Sequence, residues 1–130
     1  MPYTVSATPY GYRSKVDAPF PPEEARPWFE EIKRAVGPSP HPFGQLIDAR
    51  GQKVQDPASV PIVEEAQNWV RQHGLQRSAV VVESAIVQLN LSRMSRETGM
   101  LSHERYFTGS DPDWEAKALA WITDGVDPGS

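Results

Sequence analysis

Four polar side chains stand directly after two segments that the sequence predicts to be strands. Asp48 and Arg50 follow one of these segments, and Glu83 and Ser84 follow the other. If a right-handed crossover helix connects the strands, they are parallel, and their carboxyl ends meet at the edge where open α/β sheets bind ligands. Arg50 would then bind a carboxylate or phosphate, with Ser84 donating a hydrogen bond. The structural alternative is favoured: Ser84 caps the helix beginning at Ala85 and Asp48 caps a turn, since Ser and Asp are common caps worth about 1 kcal/mol.

The rest of the chain predicts the elements that position these residues. Alternating apolar and polar residues predict a hairpin of Tyr3–Ala7 and Tyr10–Val16, joined by turn residues. A continuous apolar run predicts a buried strand over Ser78–Val82. Short strands are also predicted within FGQLIDARG and HERYFTG, and amphipathic helices within residues 20–37, 56–74, 85–98 and 111–125. The second helix has Asp56 or Ser59 as candidate caps. The order β-β-α-β-α-β-α-β-α predicts an α/β fold with a mixed sheet of four to five strands, in one domain over residues 1–130.

The composition excludes several kinds of site. The chain has no cysteine, and its three histidines, His41, His73 and His103, are too far apart to suggest a metal site. We therefore expect no metal and no cofactor. The net charge of -4 argues against a nucleic-acid partner. No apolar stretch approaches the ~20 residues that span a bilayer, so a cytoplasmic protein is expected. No nucleophile paired with a base emerges, which makes an enzyme the least favoured class.

The tryptophans fall on the apolar faces of predicted helices: Trp28, Trp69, Trp114 and Trp121. Core packing is the favoured interpretation. The alternative is that some of them border a cleft between helices and sheet, which is where a small ligand would bind.

Several stretches resemble those of small bacterial SpoIIAA-like proteins of the STAS/SEC14 type. They are Gly44–Arg50 (GQLIDAR), Ala66–Val82, Glu104–Phe107 (ERYF) and Asp113–Ile122. The resemblance implies a SpoIIAA-like (STAS) fold with an N-terminal hairpin and about four helices. In anti-sigma factor antagonists of this fold, a phosphorylated serine opens the helix after the strand that QLIDAR resembles. Here Pro57 stands at the expected position, and Ser59 lies two residues further on.

The resemblance implies two functions. The first is a non-enzymatic domain that acts by contact with a protein partner, of the anti-sigma type or another regulatory kind. Its docking face would be the surface around Asp48–Ser59, including Asp56, with the helix that follows. The alternative is a Sec14-like carrier that binds a small apolar or amphipathic ligand between helices and sheet, in a continuous apolar cavity of ~300 Å³ or more. A second copy of the chain is a further candidate partner, through an exposed sheet edge or the hairpin.

Overall fold

The chain folds into a five-stranded sheet with helices on both faces, in a computed structural model that describes residues 3–52 and 56–128. The strands are β1 (Tyr3–Thr8), β2 (Gly11–Val16), β3 (Phe43–Asp48), β4 (Leu75–Val82) and β5 (Glu104–Thr108). The helices are α1 (Pro22–Val36), α2 (Val60–Gln72), α3 (Ala85–Thr98) and α4 (Trp114–Asp124), with a short 3₁₀ turn at Met100–His103. The described residues therefore confirm the α/β class, the mixed sheet, the N-terminal hairpin and four α-helices.

The strands lie in the sheet in their order along the chain, β1-β2-β3-β4-β5. Only β1 and β2 pair antiparallel, and the other three pairings are parallel. Each of α1, α2 and α3 connects adjacent parallel strands with the same hand, so these helices cover one face. Because the strand order never reverses, the loops at the carboxyl edge do not diverge to open a crevice of the dinucleotide-binding kind.

The sheet buries a large apolar cluster on each face, and a smaller third cluster consists of Ala49, Val80, Val82 and Val87. On the first face, α1 and α2 pack against β2 and β3 through side chains that include Trp28, Ile32, Tyr12 and Phe43. On the other face, α4 packs on the centre of the sheet. This second cluster contains Leu46, Ala79, Val81, Phe107, Trp114, Ala118, Trp121 and Ile122. Alternate residues of β3 thus serve different cores, as the pleat of a strand requires.

β1 ends one residue later and β2 begins one residue later than predicted, and β4 and α1 differ by more. β4 begins at Leu75, three residues before the predicted start, because Leu75 is buried and pairs with Phe43 in the sheet. α1 begins five residues before Pro27, a little more than one turn, and continues through it. Because Pro27 has no backbone N–H, the helix loses only the hydrogen bond from this position to the carbonyl of Glu23, in its first turns.

Trp69 departs from the expected core position. Trp28, Trp114 and Trp121 are buried, as predicted, but Trp69 is only partly buried. Its ring stacks on the imidazole of His73, with centroids 3.8 Å apart.

Among the helices of residues 3–52 and 56–128, none combines the length and apolar character needed to cross a membrane.

Candidate functional site

A row of polar side chains crosses four strands on the face that α1, α2 and α3 cover. Sheet register places Tyr12 beside Gln45, Gln45 beside Ser78, and Ser78 beside Glu104. The hydroxyl of Tyr12 donates to Oε1 of Gln45, whose Nε2 donates to Oγ of Ser78 at 2.8 Å. Ser78 in turn donates to Oε2 of Glu104 at 3.2 Å. We call these four residues the polar row.

The polar row ends on Glu104, a buried carboxyl group with 5% of its surface exposed. Its Oε1 accepts hydrogen bonds from Oγ of Ser95 at 2.7 Å and from the hydroxyl of Tyr106 at 2.5 Å. Three hydroxyl groups, including that of Ser78, therefore converge on one carboxyl group from β4, β5 and α3. Buried polar groups need such partners because hydrogen bonds compensate the free energy lost on removing these groups from water.

The helices extend this network away from the sheet. Gln67 of α2 donates from Nε2 to Oγ of Ser95 at 3.3 Å. Thr98 of α3 donates from Oγ1 to Oε1 of Gln67 at 2.7 Å. Hydrogen bonds thus join α2 and α3 to each other and to the carboxyl group on β5.

Burial dominates the electrostatics of this carboxyl group. Desolvation raises the pKa of Glu104, and the hydrogen bonds from Tyr106, Ser95 and Ser78 lower it by less. Burial also raises the pKa of Tyr106 and of Tyr12, and the nearby Glu104 charge adds to both shifts. Every ion pair within the described ranges joins other carboxylates, so Glu104 has no cationic partner there.

A cavity lies between the polar row and the helices. Its volume is about 60 Å³, well below the ~300 Å³ expected of a carrier site. Polar groups line one side, among them Gln45, Gln67, Ser95 and Glu104. The apolar walls include Val16, Phe20, Trp28, Ile32, Val63 and Leu91. The cavity therefore offers a mostly apolar space with one polar end, the composition that small-molecule sites share.

The predicted carboxyl-edge residues lie together as expected, but Asp48 and Arg50 bind each other. Asp48 is 3% exposed, and its carboxylate accepts hydrogen bonds from Arg50, Nε at 2.9 Å and Nη2 at 2.7 Å. Burial alone would raise the pKa of Asp48, but the Arg50 bonds outweigh it and the pKa is lowered. The Arg50 guanidinium also lies over the ring of Trp114, 4.9 Å from its centroid. The bidentate pair leaves little of Arg50 for a carboxylate or phosphate ligand.

The second pair at this edge has separate roles. Ser84 is the N-cap of α3, and its Oγ accepts a hydrogen bond from the amide of Val87 at 3.4 Å, which confirms the capping interpretation. Glu83 is exposed and lies close enough to Arg50 to raise its pKa, although the Asp48 bond is the larger cause. The edge is thus a charged surface built around Arg50.

The predicted docking residues Ser59 and Asp56 are less accessible than a docking face requires. Ser59 is fully buried at the N-cap of α2, and its Oγ donates to the carbonyl of Phe20 at 2.6 Å rather than capping the helix. Asp56 instead accepts from the amide of Ala58 at 2.9 Å in the preceding turn. A kinase or a partner reaches Ser59 only if this part of the fold opens. Residues 53–55 lie outside the described ranges, so the loop part of the docking face is not described.

Sequence reasoning did not select Glu104 or the rest of the polar row. Glu104 was noted only as part of a family-like stretch. One local signal exists, because ERYFT places Glu104, Tyr106 and Thr108 on one face of a strand. Nothing in the sequence, however, tells which face is buried, or that Gln45 and Ser78 stand in register with this acid.

No group of three or more histidine or acidic side chains in the described ranges could hold a metal ion. Comparison of the chain with models of protein families, with curated proteins and with solved structures found no match. The SpoIIAA-like resemblance therefore stays a prediction.

Proposed function

We propose that this is a non-enzymatic binding protein with a SpoIIAA-like fold, and that it holds a small amphipathic ligand between the sheet and α1–α3. The observation that carries the proposal is the cavity with apolar walls and a polar end at Glu104. It favours the carrier alternative over a docking domain.

The topology supports the fold assignment. An antiparallel N-terminal hairpin feeds a sheet in which three crossovers place their helices on one face. The hairpin, the mixed sheet and the four helices are the features that the resemblance implies. The fourth helix, α4, covers the other face and leaves the cavity side to the other three.

The size of the cavity limits the ligand. One buried water needs a cavity volume of about 10–15 Å³. The cavity volume of 60 Å³ therefore holds a molecule of a few non-hydrogen atoms. The apolar walls favour a hydrocarbon body, and the polar end requires one hydrogen-bonding group. Both features together favour a short amphipathic molecule.

The geometry supports a protein-docking role at the carboxyl edge less well. Asp48 and Ser59, the two ends of that expected surface, have almost no exposed area, although Arg50 between them is partly exposed. Asp56 is half-buried and its carboxylate holds its own turn. A protein partner and a second copy of the chain at an edge strand stay predictions.

An NMR titration with 1-pentanol tests the proposal. We expect chemical-shift changes at Val63, Val80 and Leu91, which line the cavity, and saturation at one site. Ala66→Leu adds a side chain that occupies the cavity and is expected to abolish those changes. The matched control is Ala85→Leu, on the exposed side of α3. Absence of shifts in the wild type, or shifts unaffected by Ala66→Leu, would contradict the proposal.

A further inference from the structure

We propose that the ligand carries a protonated amine, which pairs with the Glu104 carboxylate at the polar end of the cavity while its hydrocarbon part lies among the apolar lining residues. This inference rests on the proposed function and specifies its ligand class. It is carried by the direction of the hydrogen bonds and by the absence of a cation beside Glu104 within the described ranges.

All donors of the polar row point the same way. Tyr12 donates to Gln45, Gln45 donates to Ser78, and Ser78 donates to Glu104. A chain of hydrogen bonds in a low-dielectric interior polarises along its length, and this chain ends on an acceptor. The row therefore stabilises negative charge at Glu104.

The carboxyl group also keeps acceptor capacity. Oε1 accepts from Ser95 and Tyr106, whereas among residues 3–52 and 56–128 the only donor to Oε2 is Ser78, at 3.2 Å. Each carboxylate oxygen has two lone pairs, so Oε2 can accept a further bond. An ammonium group supplies both that bond and the missing positive charge.

An anionic ligand finds the opposite environment. The hydroxyl hydrogens of Ser78, Ser95 and Tyr106 are all directed at Glu104. No Lys, Arg or His pairs with Glu104 in residues 3–52 and 56–128. A ligand carboxylate or phosphate would thus lie beside the Glu104 carboxylate, and the three neighbouring hydroxyl groups already donate to Glu104. Charge repulsion would exclude such a ligand.

The aromatic residues of the cavity suit a cation. Tyr12, Phe20, Trp28 and Tyr106 all line it, and aromatic faces attract cations and organic ammonium groups. The Nε1 of Trp28 is already bonded to Oγ of Ser14 at 3.0 Å. The indole therefore presents its ring, not its N–H, to a ligand.

Binding of an amine should release a proton from the protein. Burial raises the pKa of Glu104, whereas pairing with an ammonium group favours the ionised form and lowers that pKa. Among the lining residues that the structure describes, the other titratable groups are Tyr12 of β2 and Tyr106 of β5, and the raised pKa of both phenols keeps them neutral at pH 7. The helices α1, α2 and α3 contribute Trp28, Gln67 and Ser95 to the lining, and none of the described lining residues of these helices is charged.

Three probes with the same hydrocarbon chain test the inference: pentylamine, 1-pentanol and pentanoate, titrated at pH 7 and constant ionic strength. We expect the wild type to bind pentylamine about tenfold or more tightly than 1-pentanol and to bind pentanoate most weakly. Glu104→Gln should lose the preference for the amine while retaining 1-pentanol. The matched control is Glu83→Gln, at the exposed carboxyl edge, which should behave as the wild type.

Calorimetry in two buffers of different ionisation enthalpy tests the same inference without a variant, in case Glu104→Gln does not fold. We expect proton release with pentylamine and none with 1-pentanol. Equal affinity for the amine and the alcohol in the wild type would overturn the amine inference and leave the proposed function standing. Failure of all three probes to bind would overturn the proposed function and this inference together.

Discussion

The hydroxyl of Tyr106 donates a 2.5 Å hydrogen bond to Oε1 of Glu104, two residues earlier on the same strand. Residues two apart in a strand share a face, so both side chains point toward the helices. Because β5 lies at the edge of the sheet, Glu104 has a neighbouring strand on one side only. Tyr106 and Ser95 supply the donors that a second strand would otherwise provide.

Tyr106→Phe should destabilise the fold by about 1–2 kcal/mol, because it removes one buried hydrogen bond to Glu104 and keeps the ring. The bond from Tyr106 lowers the pKa of Glu104, so the variant should also raise that pKa further. Urea unfolding and carboxyl ¹³C shifts measure the two effects. An unchanged pKa of Glu104 would mean that the bond is not formed in solution.

Glu104→Gln should flatten the dependence of stability on pH. The folded-state pKa of Glu104 is raised above the unfolded value of about 4.3. The native state then holds more protons in this window, so wild-type stability falls as pH rises from about 4.3 through the folded pKa. The variant lacks this contribution. Denaturation midpoints from pH 4 to 8 test it, and parallel profiles of variant and wild type would refute the assignment.

Ser59→Glu should destabilise the protein by about 3 kcal/mol or more, because the site is fully buried and the charge would have no partner. The loss of the 2.6 Å bond to the Phe20 carbonyl adds to the effect. Ser39→Glu, at an exposed position, is the control and should be nearly neutral. Equal unfolding free energies for the two variants would show that Ser59 is accessible.

Arg50→Ala should cost about 1–3 kcal/mol, since it leaves the buried Asp48 carboxylate without its main donor. The exposed pair of Arg13 and Glu115 gives a contrast, because Arg13→Ala should cost less than about 1 kcal/mol.

The Asp48–Arg50 pair also has a defined dependence on pH. The folded pKa of Asp48 is lowered, so its contribution to stability is present above about pH 4 and is lost as the pH falls through the folded pKa. Without Arg50, burial is the main influence on the Asp48 carboxyl and raises its pKa, so Arg50→Ala should weaken or reverse the loss of stability on acidification in that range. Urea midpoints between pH 2 and 6 measure this, and an unaltered acid limb would contradict it.

Local signals were sufficient for most elements. The predicted α3, Ala85–Thr98, and its cap Ser84 agree with the structure because an N-cap and a terminal glycine act within one turn. The start of β4 was missed because Leu75 is held by pairing with Phe43, a contact across the sheet. Ser59 was expected at the surface because serine usually is, and only the approach of Phe20 buries it.

The sequence by itself determined the α/β class, the hairpin, the four helices and the meeting of Asp48, Arg50, Glu83 and Ser84 at one edge. Periodicity, caps and the handedness of crossovers depend on neighbouring residues, so these features can be read from the chain. The tertiary structure decided the candidate site. Tyr12, Gln45, Ser78 and Glu104 come from four strands, and only sheet register aligns them. Their burial, and hence the raised pKa of Glu104, follows from helices that pack on one face only after the chain has folded.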